Sequence, residues 1–149
     1  MVRVLIVDDN PLVRRSYRAL LQREGNIEIA GEARDGNEAI ECALQLQPDI
    51  VLMDIRMPSM DGLAATAKMQ SLSLTSRVII VSLYSEETWV RAAFARGARG
   101  FILKQNAFEE MTSAIRIVAE GGLFLSPQIA QISTPPDSST PVSSETEPS

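Results

Sequence analysis

The sequence contains no histidine among its 149 residues. A chain without histidine cannot build a histidine zinc site or a Ser-His-Asp triad, and it cannot form a phosphohistidine intermediate of its own. It has one cysteine, Cys42, so no internal disulfide can form, which suits a reducing compartment. Cys42 lies among apolar residues, and we interpret it as a packing residue rather than as a reactive thiol.

Long apolar runs and excess basic charge are also missing. No stretch approaches the roughly 20 apolar residues that a membrane-spanning helix needs. The short apolar run at the N-terminus leads directly into Asp8 and Asp9, without the cleavage site of a signal peptide, so we expect a cytoplasmic protein without membrane contact. The net charge of −5 argues against a DNA-binding surface on this chain, because a phosphate backbone requires a basic patch.

Short apolar runs alternate with helix-like periods along the chain. The strand-like runs are residues 4–7, 27–30, 50–53, 78–81 and 100–103. Most are continuously apolar, which is typical of strands buried on both faces of a parallel sheet. The run Ile27-Glu28-Ile29 alternates instead, and we place it at a sheet edge.

Apolar residues at helical spacing follow each strand-like run. The five stripes are Val13, Tyr17, Leu20 and Leu21; Ala39, Ile40, Ala43 and Leu44; Met60, Leu63, Ala64 and Ala67; Val90, Ala93 and Phe94; and Phe108, Met111, Ile115 and Val118. Asp61 is predicted to cap the third helix, and Gly97 to end the fourth. This alternation predicts an α/β fold, a doubly wound five-stranded parallel sheet with five helices.

The last part of the chain has a different composition. Residues 133–149 are rich in Ser, Thr, Pro and Glu, and Val142 is their only hydrophobic residue. Such a segment cannot bury enough apolar surface to offset the entropy lost on ordering. We therefore predict one domain over residues 1–132, followed by a disordered tail or linker over residues 133–149.

Chemically active side chains stand where four of the predicted strands end. In chain order they are Asp8 and Asp9, Asp54, Ser82 and Lys104. Ligands of open α/β sheets bind at this edge. Three carboxylates close together need a proton or a cation, and oxygen ligands without histidine or cysteine favour Mg²⁺ or Mn²⁺. A carboxylate can also act as the nucleophile that accepts a phosphoryl group.

These residues resemble the response-regulator receiver domain of two-component signalling. Asp54 to Gly62 matches its phosphoacceptor motif D-x-x-M-P-x-x-D-G at each defined position, Ile80-Val81-Ser82 matches its hydroxyl-bearing strand, and Gly100 to Lys104 matches its lysine strand. The resemblance covers residues 1 to about 132 and implies a flavodoxin-like sheet of order 2-1-3-4-5. Residues 116–127 resemble the branch that usually carries a LuxR-type helix-turn-helix output domain.

The resemblance implies a role for each acidic residue. Asp54 would be the phosphoacceptor. Asp9, Asp54 and the backbone carbonyl of Arg56 would bind Mg²⁺ directly, and Asp8 would act through water. A plainer alternative for Asp8 and Asp9 is that they cap the helix that begins near Pro11.

The resemblance also assigns the remaining site residues. Lys104 would pair with the phosphoryl oxygens, Ser82 would move to hydrogen-bond the phosphoryl group, and Phe101 would follow inward as an aromatic switch. The alternatives are a solvated strand end, a small structural residue and a core residue, respectively. Arg56 and Tyr84 would flank the approach of water to the phosphorylated aspartate and slow its hydrolysis.

The function that the resemblance implies is a signalling switch rather than an enzyme, with only self-phosphorylation and self-dephosphorylation. A sensor histidine kinase would supply the phosphoryl group, homodimerisation could follow, and DNA would be reached only through an output domain absent from this chain. The chain is then either a piece of a longer regulator or a stand-alone receiver with a tail. Alternatives are a metal-dependent phosphatase with an aspartyl nucleophile and a constitutive protein-binding pseudo-receiver.

Two further features qualify this interpretation. Many members of the family have proline after the lysine, whereas Gln105 follows Lys104 here, so the loop must reach its geometry without that constraint. The first predicted helix carries basic residues that either dock an acidic partner, such as a histidine kinase, or form a solvated face; they are Arg14, Arg15, Arg18 and Arg23.

Overall fold

Parallel strands and helices alternate along residues 1–130, which are the residues that this computed structural model describes. The strands are β1 (Val2–Val7), β2 (Ile27–Ala33), β3 (Ile50–Asp54), β4 (Arg77–Ser82), β5 (Gly100–Leu103) and β6 (Phe124–Leu125). They form one parallel sheet in the order β2-β1-β3-β4-β5-β6. The predicted doubly wound sheet, its order 2-1-3-4-5 and the edge position of β2 are confirmed. The short strand β6 is an addition that the apolar pattern did not predict.

Helices cover both faces of the sheet. They are α1 (Pro11–Gln22), α2 (Gly36–Leu46), α3 (Gly62–Ser71), α4 (Glu87–Ala95), α5 (Ala107–Ala119) and the short α6 (Pro127–Ala130). Successive strand residues point to opposite faces, so Leu5 and Val7 pack with α2, α3 and α4, whereas Val4 and Ile6 pack with α1 and α5. Within the described range, no helix combines the length and the apolar character that crossing a bilayer requires.

Helix ends follow local side-chain chemistry, with one correction to the sequence analysis. The Asn10 side chain caps α1 by accepting a hydrogen bond from the Leu12 amide at 2.9 Å. The alternative interpretation of Asp8 and Asp9 as caps of this helix is therefore wrong. The predicted cap of α3 is confirmed, because Asp61 accepts from the Ala64 amide at 2.8 Å.

Two of the predicted helical stripes begin with a residue outside the buried face of its helix, although Met60 still packs against the core from the loop before α3. Phe108, the second residue of α5, is 56% exposed and meets the Tyr17 ring edge-on at a centroid distance of 6.1 Å. Met60 precedes α3, whose buried face instead includes Ala65 and Met69. An apolar residue in the first turn of a helix can reach past the sheet edge, which periodicity alone does not reveal.

The segment after α5 closes the sheet beside β5. Ser126 is fully buried, and its hydroxyl accepts a hydrogen bond from the Leu103 amide at 2.9 Å and donates one to the Glu110 carboxylate. The Ser126 amide donates to the Phe101 carbonyl at 3.0 Å. Ile129, also fully buried, anchors α6 in the core. The segment therefore fixes the backbone that immediately precedes Lys104.

We predict that Ser126→Ala destabilises the protein by about 1–3 kcal/mol, because the Leu103 amide and the Glu110 carboxylate both lose a buried partner. The control is Ser71→Ala, which removes an exposed hydroxyl that bonds only within α3. Denaturant unfolding followed by circular dichroism measures both. Equal losses in the two variants would show that the bridge does not stabilise the fold.

Candidate functional site: an acidic cluster at the carboxyl edge of the sheet

The sheet topology brings three carboxylates together. Asp8 follows β1 and Asp54 ends β3, and these strands are neighbours paired at Val7 and Met53. Oxygen atoms of Asp8, Asp9 and Asp54 all lie within 4.8 Å of one another. Asp8 and Asp54 are buried, and Asp9 is exposed. The convergence predicted from the strand ends is therefore present, and the site opens to solvent on the side of Asp9.

Lys104 places a positive charge against this cluster. It begins a 3-10 turn directly after β5, and its ammonium Nζ lies 3.1 Å from Asp8 Oδ2 and 3.5 Å from Asp54 Oδ2. Burial alone would lower the pKa of Lys104, but the Asp54 and Asp8 carboxylates outweigh that effect and raise it. Lys104 therefore stays charged at neutral pH and partly neutralises both aspartates.

The carboxyl group of Asp54 has a perturbed pKa. Burial raises its pKa to about 6, and the neighbouring Asp8 charge adds to this effect. Lys104 and the Ile55 amide, which donates to Asp54 Oδ1 at 2.9 Å, act in the opposite direction. Near neutral pH, Asp54 is thus an ionised carboxylate that burial makes costly and that an additional cation would stabilise.

The loop after β3 explains why the motif that starts at Asp54 has its particular residues. The Gly62 amide donates to the Ile55 carbonyl at 2.8 Å. A Cβ atom on Gly62 would lie 1.9 Å from the Asp54 carbonyl oxygen, so only glycine fits. Together with the Asp61 cap of α3, these contacts define a tight loop between Asp54 and the start of α3.

Ser82 ends β4, the neighbour of β3. Its hydroxyl accepts a hydrogen bond from the Tyr84 amide at 2.8 Å and donates to the Tyr84 carbonyl at 3.3 Å. The hydroxyl is therefore engaged with its own loop, although Val81, the residue before it, pairs with Asp54 across the sheet. Phe101, the predicted aromatic switch, is fully buried in the middle of β5.

Arg56 and Tyr84, which were expected to flank the site, contact each other. The Arg56 guanidinium donates to the Tyr84 hydroxyl at 2.6 Å. The Tyr84 ring stacks on Trp89 of α4, with a centroid distance of 4.8 Å and an interplanar angle of 17°. Trp89 could not be predicted as a neighbour of the site, because nothing in the helical pattern of α4 distinguishes a stacking side chain from a packing one.

The Arg14 side chain reaches the site from α1 and forms contacts that were not predicted from the sequence. The Arg14 side chain donates through Nη1 to the backbone carbonyl of Asp8 at 2.6 Å and through Nε to Glu32 on β2 at 2.9 Å. Arg14 was expected either on a solvated face or at a partner surface. The solvated-face expectation is wrong for Arg14, because its side chain is mostly shielded from solvent and forms an internal ion pair, whereas the partner surface stays a prediction.

The chain is similar in sequence to a known domain family and to several curated proteins. The profile of the family described as "Response regulator receiver domain" matches residues 4–116. Among curated proteins, the chain is 38% identical over 131 residues to the response regulator GacA of Pseudomonas viridiflava, covering 88% of this chain and 61% of that protein. It is 34% identical over 129 residues to the nitrate/nitrite response regulator protein NarL of Escherichia coli K12, covering 87% and 60%.

Solved structures show the same similarity. A two-component response regulator of the LuxR family from Aurantimonas superposes with a TM-score of 0.84 at 33% identity, covering 88% of this chain and 94% of that one. The signal receiver domain of the putative response regulator NarL from Mycobacterium tuberculosis gives a TM-score of 0.78 at 38% identity, covering 80% and 97%.

The chain spans about 60% of the length of the curated relatives it matches. The family profile covers most of the chain and includes the whole acidic cluster and Lys104. The chain therefore belongs to the response regulator receiver domain family.

Proposed function

We propose that this receiver domain is a phosphorylation switch in which Asp54 is the phosphoacceptor. The observation that carries the proposal is the convergence of a buried Asp54 with Asp8, Asp9 and Lys104 at one sheet edge. A buried carboxylate with an ammonium group beside it and an open side towards solvent is suited to attack an incoming phosphoryl group.

The donor set fits a hard divalent cation. Three aspartates offer only oxygen ligands, and their combined charge exceeds what Lys104 can neutralise. Asp9, Asp54 and the Arg56 backbone carbonyl would hold Mg²⁺, or Mn²⁺, directly, and Asp8 would act through water. When bound, the ion would neutralise charge on the phosphoryl oxygens.

The transfer itself is a simple substitution at phosphorus. An Asp54 carboxylate oxygen forms a bond to phosphorus, and the bond from phosphorus to the donor's leaving atom breaks, with the electron pair staying on that atom. For a sensor histidine kinase that atom is an imidazole nitrogen, which the partner must supply because this chain contains no histidine. Lys104 remains close enough to pair with the transferred oxygens.

The response to phosphorylation would begin at Ser82. Its hydroxyl donates to the Tyr84 carbonyl, and this bond must break before the same proton can be donated to a phosphoryl oxygen on Asp54. Phe101 is already inside, so its predicted inward movement would start from a state other than the one described. Ser82 and Phe101 remain the proposed switch residues, and α4 is the helix that the Tyr84 loop touches directly.

The wider role belongs to the same proposal. We propose that a sensor histidine kinase supplies the phosphoryl group, that the phosphorylated protein forms a homodimer in the cytoplasm, and that it regulates transcription through an output domain. Similarity to GacA and NarL, which are named as response regulators, supports a role in such a signalling system. We keep the division into a receiver over residues 1–132 and a linker or tail over residues 133–149. That tail lies outside the described residues.

We predict that acetyl phosphate with Mg²⁺ adds one phosphoryl group to the parent protein and none to Asp54→Asn, because the nucleophilic oxygen is lost. Intact-protein mass spectrometry measures the addition. Asp61→Asn is the matched control, since it makes the same charge change in the same motif at an exposed cap that asparagine can also provide. Equal labelling of Asp54→Asn and the parent would overturn the assignment.

The raised pKa of Asp54 predicts a pH-dependent stability. The folded state holds an extra proton between the unfolded pKa of about 4 and the folded value of about 6, so unfolding free energy falls as pH rises through this window. Asp54→Asn removes this penalty. Without metal, we expect the variant to gain on the order of 2–3 kcal/mol over the parent at pH 7.5 and little at pH 4.

Denaturant unfolding in the presence of a chelator tests this expectation at both pH values. Adding Mg²⁺ at pH 7.5 should then stabilise the parent more than Asp54→Asn, because only the parent offers all three carboxylates. A variant that is less stable than the metal-free parent at pH 7.5 would show that Asp54 is not under electrostatic stress.

The contact between Arg56 and Tyr84 predicts a long-lived phosphorylated state. Hydrolysis needs a water in line with the bond that breaks, and we propose that the hydrogen-bonded Arg56 and Tyr84 side chains block part of that approach. The double variant Arg56→Asn with Tyr84→Glu should lose phosphate several-fold faster at fixed Mg²⁺. Arg91→Asn, at an exposed arginine of α4, is the control. An unchanged or longer lifetime in the double variant would rule out shielding.

A further inference from the structure

The basic face of α1 is organised around one acidic residue of the edge strand. Glu32 on β2 accepts a hydrogen bond from Arg14 Nε at 2.9 Å through one carboxylate oxygen. Its other oxygen accepts from Arg18 Nε at 2.6 Å. Burial alone would raise the pKa of Glu32, but bonding to Arg18 and Arg14 lowers it, so the carboxylate stays ionised. Both oxygens of Glu32 are thus used to hold arginine side chains.

Arg14 differs from Arg18 because it has a second partner. Its Nη1 donates to the Asp8 backbone carbonyl at 2.6 Å, while its Nε remains bonded to Glu32. The guanidinium group is planar, so two bonds through different nitrogens fix its orientation as well as its position. Arg14 therefore connects the edge strand β2 with the turn that leads from β1 into the acidic cluster.

The Asp8 carbonyl belongs to the peptide that joins Asp8 to Asp9. Because a peptide unit is planar, fixing the direction of this carbonyl fixes the direction in which the chain enters Asp9. The Asp8 amide is already held by the Ala33 carbonyl at 3.1 Å, and its carboxylate accepts from the Asn10 amide at 2.9 Å. Among these contacts, the bond from Arg14 is the one that holds the carbonyl.

We propose that Arg14, oriented by Glu32, is a positioning residue for the cation-binding pair Asp8 and Asp9. It sets the plane of the peptide between them and so places the exposed Asp9 carboxylate next to Asp8 and Asp54. The inference rests on the proposed function, because it requires that this cluster binds Mg²⁺.

The sign of the effect separates positioning from simple electrostatics. A positive charge near the cluster repels a divalent cation, so an Arg14 that acted only through its charge would weaken Mg²⁺ binding, and its removal would strengthen it. If Arg14 instead positions the ligands, its removal weakens Mg²⁺ binding. Groups that orient metal ligands typically contribute about 10-fold to 100-fold in affinity.

The test is Mg²⁺ affinity of the unphosphorylated full chain, measured by isothermal titration calorimetry at constant ionic strength. Arg14→Met should bind Mg²⁺ roughly tenfold more weakly than the parent. Arg15→Met is the matched control, because it removes the same charge one residue further along α1 from an exposed side chain. Binding by Arg14→Met as tight as by Arg15→Met, or tighter, would overturn the inference.

A second pair of variants tests the anchor and covers the case in which Arg14→Met does not fold. Glu32→Gln keeps Arg14 and its charge but removes the ionic anchor, so it should weaken Mg²⁺ binding by an intermediate factor. Glu28→Gln on the same strand is its control, with a side chain that is 55% exposed. Tighter or equal binding by Glu32→Gln relative to Glu28→Gln would contradict the role of the anchor.

Asp9→Ala separates failure of this inference from failure of the proposed function. If the parent and Asp9→Ala both show no Mg²⁺ binding, the cation site itself is wrong, and the role of Arg14 falls with it. If the parent binds and Asp9→Ala does not, the site stands, and the comparison of Arg14→Met with Arg15→Met decides the inference. The free energy of unfolding of each variant, measured with a chelator present, shows whether weaker Mg²⁺ binding results from lower stability of the fold.

Discussion

The repulsion between Asp8 and Asp54 is the interaction on which the rest of the site depends. The parallel sheet brings these carboxylates together, because they stand at the carboxyl ends of the neighbouring strands β1 and β3. Lys104 offsets part of the charge, yet burial, with the Asp8 charge adding to it, still raises the pKa of Asp54 to about 6. The fold thus holds an unfavourable arrangement in place, and a divalent cation or a phosphoryl group with its counter-ions can relieve it. A change of charge at this cluster can therefore shift the conformation of the elements around it.

Holding Lys104 in place requires a backbone that cannot relax away from the cluster. Gln105 follows Lys104 where many receivers have proline, so the loop needs another constraint. The chain provides a 3-10 turn over Lys104–Asn106 and the buried hydroxyl of Ser126 on the Leu103 amide. The segment after α5 therefore takes part in shaping the site, although it lies far from Asp54 in sequence.

The sequence was sufficient for the parts of the site that depend on topology alone. Asp54, Asp8 and Lys104 could be placed together because strand ends in a parallel sheet share an edge. The contacts of Arg14 could not be predicted, since they depend on the orientation of one long side chain on α1 and on the register of β2, which has an irregularity near its middle. The bridge through Ser126 was missed for a related reason: β6 is only two residues long and has no periodicity to detect.

The free energies of the contacts around Ser82 indicate which element of the switch can move. The hydrogen bond that the Ser82 hydroxyl donates to the Tyr84 carbonyl is worth about 0.5–1.5 kcal/mol, and the Tyr84–Trp89 stack about 0.5–1.5 kcal/mol beyond its buried area. A hydrogen bond from Ser82 to a charged phosphoryl oxygen is worth about 1.5–3 kcal/mol, enough to compete with either. Expelling Phe101 from its fully buried place would instead cost about 3–5 kcal/mol if the cavity stayed open. On the proposed function, the Tyr84 loop and the start of α4 are therefore the elements that phosphorylation would move at the lowest free-energy cost, whereas outward movement of Phe101 would cost more.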